Sequence, residues 1–568
     1  MTNIRHKNDI YLSFPCLNRH TAWTKSLFVI VALFLLTSDI HAQYLPPMPI
    51  KPLVSGSFAE MRANHFHSGL DLTTSGATGI EVRAVEKGYI SRIKVSAYNY
   101  GYAVYITHPD GNTTVYAHLK KYASKIDEVI RSEQYRRKSF EIDYFPKADL
   151  LPVSRGEVIG YSGNSGSSGG PHLHFEVRDT KSEEPLNPLA YLPPIADDQM
   201  PTIYGVKLFS RDDNAQVEGK HRNKYFTLAE INGQTIEVFG NVGFGVHAVD
   251  YLVAGHRPCG VVDIKLFCDD EVIFHSHIDR FSFDVTRHIN SHIDYAEYVT
   301  NKRFVQKSFV DPGNKLEIYH VHKPLHVAEG EIKTLRYLLT DFAGNTNSVS
   351  FKVRGMKNEN AQRPTRKGEY VAWGKTWSVD TLGMSIIIPH ESLYEDAYIE
   401  ISASQHKYTV GSEQIPLQKN ATIKFPVPEE LKKYGKQLFV GNIKNKGILS
   451  YAGGTLQNDV ISLKTRSLGT FTLAVDTVAP KVFSKNTRTS LVASNSIMVG
   501  VTDDKSGIAD YKCYIDDVWH LFEYDYKRSR LITNVGVLGL QQGKHMLRVV
   551  VSDNCGNTTE WQWLFEVR

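Results

Sequence analysis

The stretch Pro171-His172-Leu173-His174-Phe175-Glu176-Val177 constrains this chain more than any other. Leu173, Phe175 and Val177 alternate with His172, His174 and Glu176, the period-two pattern of a strand with one apolar face. An extended backbone turns both imidazoles and the carboxylate to one side, with same-face neighbours about 6.6 Å apart. One histidine can then bind a metal while the other stands beside it with a nitrogen facing the same pocket. Far upstream, His67-Ser68-Gly69-Leu70-Asp71 offers an imidazole and a carboxylate around a turn-permissive glycine. One His, one Asp and one more His make three nitrogen or oxygen ligands. That set suits zinc with its fourth position open, the pattern of a catalytic site rather than a closed structural one.

The residues between these stretches read as strands and tight turns. Ile80 to Val85 leads through Lys87-Gly88 into Tyr89 to Val95. Ala103 to His108 turns at Pro109-Asp110-Gly111-Asn112 into Thr113 to His118, and Asp-Gly between two β-rich runs signals a hairpin. His118 ends a strand that can run toward the His-x-His strand. His108, near the turn, is expected in a structural hydrogen bond, and His65 at the surface. Glu176 either accepts the other N–H of a metal-bound His174 or pairs with Arg178. The run Gly160 to Gly170 lacks a Gly-Lys-Ser/Thr ending and leads into a strand, which excludes a phosphate-binding loop. It is expected to form a mobile, small-residue rim where an extended peptide lies. An insertion at about 122–150 carries a short amphipathic helix, Ser124 to Tyr135, with Ser124 as its N-cap, then an extended aromatic stretch.

Together with Tyr116-Ala117-His118-Leu119 and the approach Gly160-Tyr161-Ser162-Gly163-Asn164-Ser165-Gly166, the two histidine stretches resemble the lysostaphin-type (LytM-like) zinc endopeptidases that cut peptidoglycan cross-links. The resemblance runs from roughly Phe58 to Leu192. It implies that His67, Asp71 and His174 hold zinc, that His118 and His172 are the catalytic pair, and that peptidoglycan cross-linked peptides are the substrate. Every position of that pattern is filled. This separates the chain from degenerate members that lost ligands and regulate other hydrolases; a non-catalytic regulator or wall-binding scaffold is the alternative reading. A carrier domain of the related barrel-sandwich hybrid needs a modifiable lysine at a hairpin tip, and the tip here is Asp110-Gly111.

The rest of the chain bounds the setting. With 568 residues and a formal charge of +4, composition gives no basis for nucleic-acid binding. Arg19 and Lys25 precede the apolar run Leu27 to Leu36, too short to span a bilayer, and Ile40-His41-Ala42 offers a cleavage site. Residues 1–42 are therefore expected to be a signal peptide and the mature protein to be exported to the periplasm or cell envelope, with no membrane span. Beyond the leader, Cys259, Cys268, Cys513 and Cys555 leave two bridges and four buried thiols both open. The expected fold class is mainly β: an antiparallel metallopeptidase domain, barrel-sandwich hybrid-like, over 43–197, then β modules over 198–356, 365–476 and 477–568. An internal repeat marks the first and last of these. Val246 to Asp250 and Asp341-Phe342-Ala343-Gly344-Asn345 recur as Val499 to Asp503 and Asp553-Asn554-Cys555-Gly556-Asn557, which reads as immunoglobulin-like sandwiches. Their expected role is spacing or adhesion, through cell-envelope protein partners. A fragment from Gln43 to about Asp197 is expected to suffice for activity.

Overall fold

The computed structural model describes residues 44–252, 258–444 and 447–568, so the expected leader and its cleavage site lie outside the described residues. The alternating runs form strands almost throughout, and the chain is mainly β. Among the described residues no helix is long and apolar enough to cross a membrane.

In the N-terminal module the main sheet runs Val54–Gly56, Leu70–Thr73, His172–Asp179, Asn112–Leu119, Tyr102–Thr107, Gly88–Val95, Ile142–Tyr144. The His-x-His strand is central and antiparallel to both neighbours. His174 pairs with Asp71 on one side and with Ala117 on the other. Its apolar residues Leu173, Phe175 and Val177 are fully buried, and Phe175 packs on Tyr116 with ring centres 5.4 Å apart. The Asp-Gly hairpin closes with Thr107 opposite Thr113, Gly111 at φ 88° and the Asn112 N–H on Asp110 Oδ1. A smaller sheet of Glu81–Arg83, Val158–Tyr161 and Lys121–Tyr122 delivers the chain into the glycine-rich loop.

The insertion helix spans Ser124–Arg137 and buries Ile126 and Ile130. Ser124 is its first helical residue rather than the N-cap. That position belongs to Ala123, which makes no side-chain cap. The stretch after the helix is extended, with Ile142 paired to Val95.

Downstream, three apolar cores follow in chain order. Phe244, Tyr337 and Phe351 belong to the first, Phe425 and Phe471 to the second, Val549 and Phe565 to the third. The last core lies between two sheets, a sandwich arrangement. In the first repeat copy the long strand Thr235–Val249 instead joins its neighbours into one 11-stranded sheet. All four cysteines from Cys259 onward are buried thiols, so neither bridge forms.

One core is shared between modules. Phe58 stacks on Phe281 at 5.5 Å and Phe66 packs on it, tilted, at 5.4 Å, with Ile289 and Ile293 around them. Polar contacts follow the same seam: Gly260 N–H donates to Ser57 Oγ, Phe66 N–H to Thr286 Oγ1, and Asn290 Nδ2 to Asn64 Oδ1. The expectation that a fragment ending near Asp197 is self-sufficient conflicts with this packing. Cutting there would expose two phenylalanines, each contributing about 1.5–3 kcal/mol when buried, on the segment leading to His67.

Candidate functional site

Pairing of Leu70–Thr73 with the His-x-His strand sets Asp71 opposite His174, and the coil just before it brings His67 alongside. His67 Nε2 lies 3.1 Å from Asp71 Oδ1 and 3.0 Å from His174 Nδ1, which is itself 2.9 Å from the same Asp71 oxygen. All three residues are buried. The other nitrogen of each ring is committed: His67 Nδ1–H donates to the Ser57 carbonyl and His174 Nε2–H to Glu176 Oε1, both at 2.7 Å. In its neutral form each ring then turns the lone pair of its remaining nitrogen into the gap. Two lone pairs and a carboxylate oxygen at such separations repel unless positive charge sits among them. The three atoms form a ready donor set, of the kind zinc accepts.

Electrostatics point the same way. Burial pushes the Asp71 carboxyl up, but His67, His172 and His174 around it outweigh burial and hold it well below its usual value. Burial likewise depresses His174, yet Asp71 and Glu176 lift it to about 9. At His67 burial dominates over Asp71 and the pKa falls to about 4. Asp71 and Glu176 thus favour a proton on His174, which a bound cation would displace from Nδ1, while His67 is held neutral.

Gly69 serves this geometry by close approach rather than by a turn. A Cβ there would lie 2.3 Å from the Phe175 carbonyl oxygen and 2.8 Å from Glu176 Cγ. Around the cluster, Arg62 donates to Asp71 Oδ2 at 2.6 Å. Glu176 is fully satisfied, Oε1 accepting from His174, Ser68 Oγ and Tyr100 OH, and Oε2 from Arg178 Nε at 2.6 Å. Glu176 thus accepts the His174 N–H and pairs with Arg178 at once. Nothing in the sequence marked Arg62, nine residues before Asp71, or Tyr100, whose partner Glu176 is 76 residues away; Ser68 lies within the motif itself.

His118 is placed by a bulge. Tyr102 pairs with Leu119 but Val104 with Tyr116, so Asn112–Leu119 carries one residue too many at this point. His118 takes up the excess at φ 59°, a left-handed conformation costing a non-glycine residue about 1–2 kcal/mol, and the bulge re-aims its ring. That ring stands 4.8 Å from the His172 ring and 5.8 Å from that of His174. Its Nδ1–H donates to the Ser165 carbonyl at 2.9 Å, and His172 Nδ1–H to the Gly170 carbonyl at 2.8 Å. The Nε2 of His118 is therefore left bare, while that of His172 faces Asp71 Oδ1 at 3.4 Å. Burial, then the neighbouring His174 and His172, lowers the His118 pKa to about 3, so this ring is neutral at physiological pH.

The glycine-rich run differs from the mobile rim expected of it. Gly166 sits at φ 66° against the Asn99 carbonyl, where a Cβ would come within 2.2 Å. Ser167 N–H donates to Asn99 O, Asn99 N–H to Ser167 Oγ, and Tyr102 N–H to Ser165 Oγ. Small residues here permit close packing, and the loop's carbonyls orient two histidines. His108 bonds the Lys87 carbonyl and Thr114 Oγ1, away from the cluster. His65 is exposed and bonds the Ala63 carbonyl.

Residues 65–135 and 150–188 match the model of peptidase family M23, and residues 368–476 match that of a Zu5-like domain. The chain thus carries a peptidase family M23 domain near its N-terminus, followed by further β domains. Among curated proteins it is similar to the DD-carboxypeptidase/endopeptidase Mpg of Neisseria gonorrhoeae, 33% identical over 124 residues, and of Neisseria meningitidis serogroup B, 34% over 124 residues. Each match covers 22% of this chain and 22% of the relative, so the chain spans about a fifth of their length. Among solved structures it is similar to the catalytic domain of lysostaphin from Staphylococcus simulans, with 24% identity, a TM-score of 0.18, and coverage of 24% of this chain and 87% of that one. A zinc-containing peptidase from Vibrio cholerae gives 24% identity and a TM-score of 0.20, over 27% of this chain and 41% of that one.

Proposed function

We propose that this chain is a zinc-dependent endopeptidase that hydrolyses peptide cross-links of peptidoglycan, acting as an exported protein in the periplasm or cell envelope. The observation that carries the reading is the division of five side chains into two sets. His67 Nε2, Asp71 Oδ1 and His174 Nδ1 converge with their remaining atoms tied to Ser57, Arg62 and Glu176. His118 stands beside them with Nε2 free, and His172 with its Nε2 facing Asp71 Oδ1 at 3.4 Å. Peptidase family M23 and the DD-carboxypeptidase/endopeptidase name of the Neisseria relatives support a peptide-bond substrate in the cell wall.

In this reading His67, Asp71 and His174 hold the zinc, and Glu176, Ser68 and Tyr100 keep His174 in the tautomer that leaves Nδ1 bare. Bound zinc supplies Lewis-acid polarisation of a carbonyl and makes water acidic near neutral pH. One of His118 and His172 accepts the water's proton at Nε2 or orients the water. The other, carrying a proton on Nε2 as well as on Nδ1, donates to the developing oxyanion or gives that proton to the leaving amine. The buried Asp71, held ionised by its surroundings, keeps its charge throughout. Downstream β modules contribute contacts to cell-envelope partners.

The test is digestion of purified peptidoglycan by the zinc-loaded full chain, with fragments identified by mass. Conversion of cross-linked dimers to monomers with a new free amine is expected. Intact dimers after prolonged incubation with a folded, zinc-loaded chain would instead favour a non-catalytic regulator.

A further inference from the structure

The glycine-rich loop is held from the far end of the chain. Lys527, in the turn after the strand Glu523–Asp525, donates to the carbonyls of Asn164 at 2.8 Å and Ser168 at 2.5 Å, and its Nζ lies 3.1 Å from Asn164 Oδ1. An ammonium has three N–H donors, and these oxygens match them one for one. The two anchored carbonyls bracket Ser165, whose own carbonyl takes the His118 Nδ1–H. Ser168 in turn places its Oγ 3.1 Å from His172 Nδ1 and donates to the Gly170 carbonyl, the acceptor of that same Nδ1–H. Next to Lys527, Tyr526 packs on Tyr98 with ring centres 4.6 Å apart. Tyr98 opens the short loop in which Asn99 pairs with Ser167 and the Tyr100 carbonyl accepts the His118 backbone N–H. Trp519 meets Tyr135 of the insertion helix edge-on at 5.3 Å, a further contact of the same module.

We propose that the C-terminal module is a positioning element of the active site, its Lys527 clamping the 164–168 loop whose carbonyls fix the tautomers and ring orientations of His118 and His172. The proposal rests on the assignment of those two histidines to proton transfer and oxyanion binding. The physical need is plain. Glycine and serine lose much conformational freedom when ordered, so this loop left to itself would sample many arrangements. An imidazole keeps its proton on Nδ1 only while the acceptor carbonyl stays within hydrogen-bond reach. Misplacing a reacting group by about 1 Å can cost about 10²-fold in rate. A lysine aimed at backbone carbonyls restrains the loop without placing a charge partner in the cleft.

Two substitutions in the full-length, zinc-loaded chain decide the matter. Lys527→Met keeps the length and removes the donors; Lys527→Arg keeps donors and charge. The Met variant is expected to retain wild-type zinc content and KM while kcat falls about tenfold, a fraction of the cost of a full 1 Å misplacement, and the Arg variant to recover most of that loss. Deuterium uptake by the peptide covering residues 163–170 rises in the Met variant and stays low in the Arg variant. Uptake needs no turnover, so an inert wild-type protein would strike the functional reading while uptake still judges the clamp. Unchanged uptake in Lys527→Met overturns the proposal, as does unchanged kcat. An increase in kcat would make the contact an occluding one and overturns it equally.

Discussion

A single methyl group at residue 69 tests how closely the two halves of the site must approach. The Cβ of Gly69→Ala would fall 2.3 Å from the Phe175 carbonyl oxygen, where ordinary contact begins at 3.4 Å. Relief therefore takes about 1 Å of separation. Phe175 lies in a strand paired on both sides, so the movement falls on the 67–71 segment. The overlap costs about 1–3 kcal/mol of stability if the fold absorbs it. The site suffers more. His67 Nε2 and His174 Nδ1, now 3.0 Å apart, move apart on the scale of that ångström, while metal–ligand distances tolerate only about 0.2 Å. Zinc affinity should fall about 100-fold, the upper end of what disturbed outer-shell support produces, and cleavage should fall with it. Competition against a chelator of known affinity measures the loss of zinc affinity, and thermal melting without zinc measures the stability cost. Gly374→Ala, where a Cβ meets open space, serves as control and should match wild type. A Gly69→Ala protein with wild-type zinc affinity would refute the close-approach argument.

Other substitutions probe the supports. Glu176→Gln removes the charge that accepts His174 Nε2–H and should weaken zinc binding about 10- to 100-fold, with competition titration as the measurement; a loss below threefold would count against the carboxylate's role. Phe281→Ala, in the module after the site, should destabilise the chain by about 3–5 kcal/mol and weaken zinc binding in the same sample, because its ring packs on Phe58 and Phe66. Unchanged zinc binding there would mean that the seam is not part of the site's support. Burial pushes the thiols of Cys259 and Cys268 up to about 12 and 11. A disulfide reagent at pH 8 should therefore react with neither until unfolding, after which the segment from Tyr44 onward should titrate four thiols. A lower count would reveal a bridge.

Much of the fold was legible because strands advertise themselves locally. The alternation from Leu173 to Val177 placed His172, His174 and Glu176 on one face of a strand, and Asp110-Gly111 marked the hairpin between the strands ending at Thr107 and beginning at Asn112. Pairing of that strand with Leu72 and Asp71 brings the two histidine stretches together, which no local period encodes. Gly69 was read as a turn residue when its task is to admit the Phe175 backbone. The glycine-rich run was read as a loose rim, since composition reports conformational freedom and not the hydrogen bonds that remove it. Arg62, Tyr100 and Lys527 carry no signal at all. Each reaches the site across a loop or a module, and long-range contacts of charged and aromatic side chains leave no spacing to recognise. Ser124 shows the smaller error of one residue at a helix end, where capping preference and actual capping differ.

The division of the five side chains is the central claim, and zinc content measured beside cross-link cleavage tests it most directly. Alanine variants of His67, Asp71 and His174 should lose zinc and activity together. Those of His118 and His172 should keep near-normal zinc, by elemental analysis, yet lose about 10²- to 10⁴-fold in rate, the range for a positioned proton-transfer group. A zinc-free but folded His172→Ala beside a fully loaded His174→Ala would reverse the assignment. Loss of zinc in both would make the site four-liganded and closed, and the mechanism would fall with it.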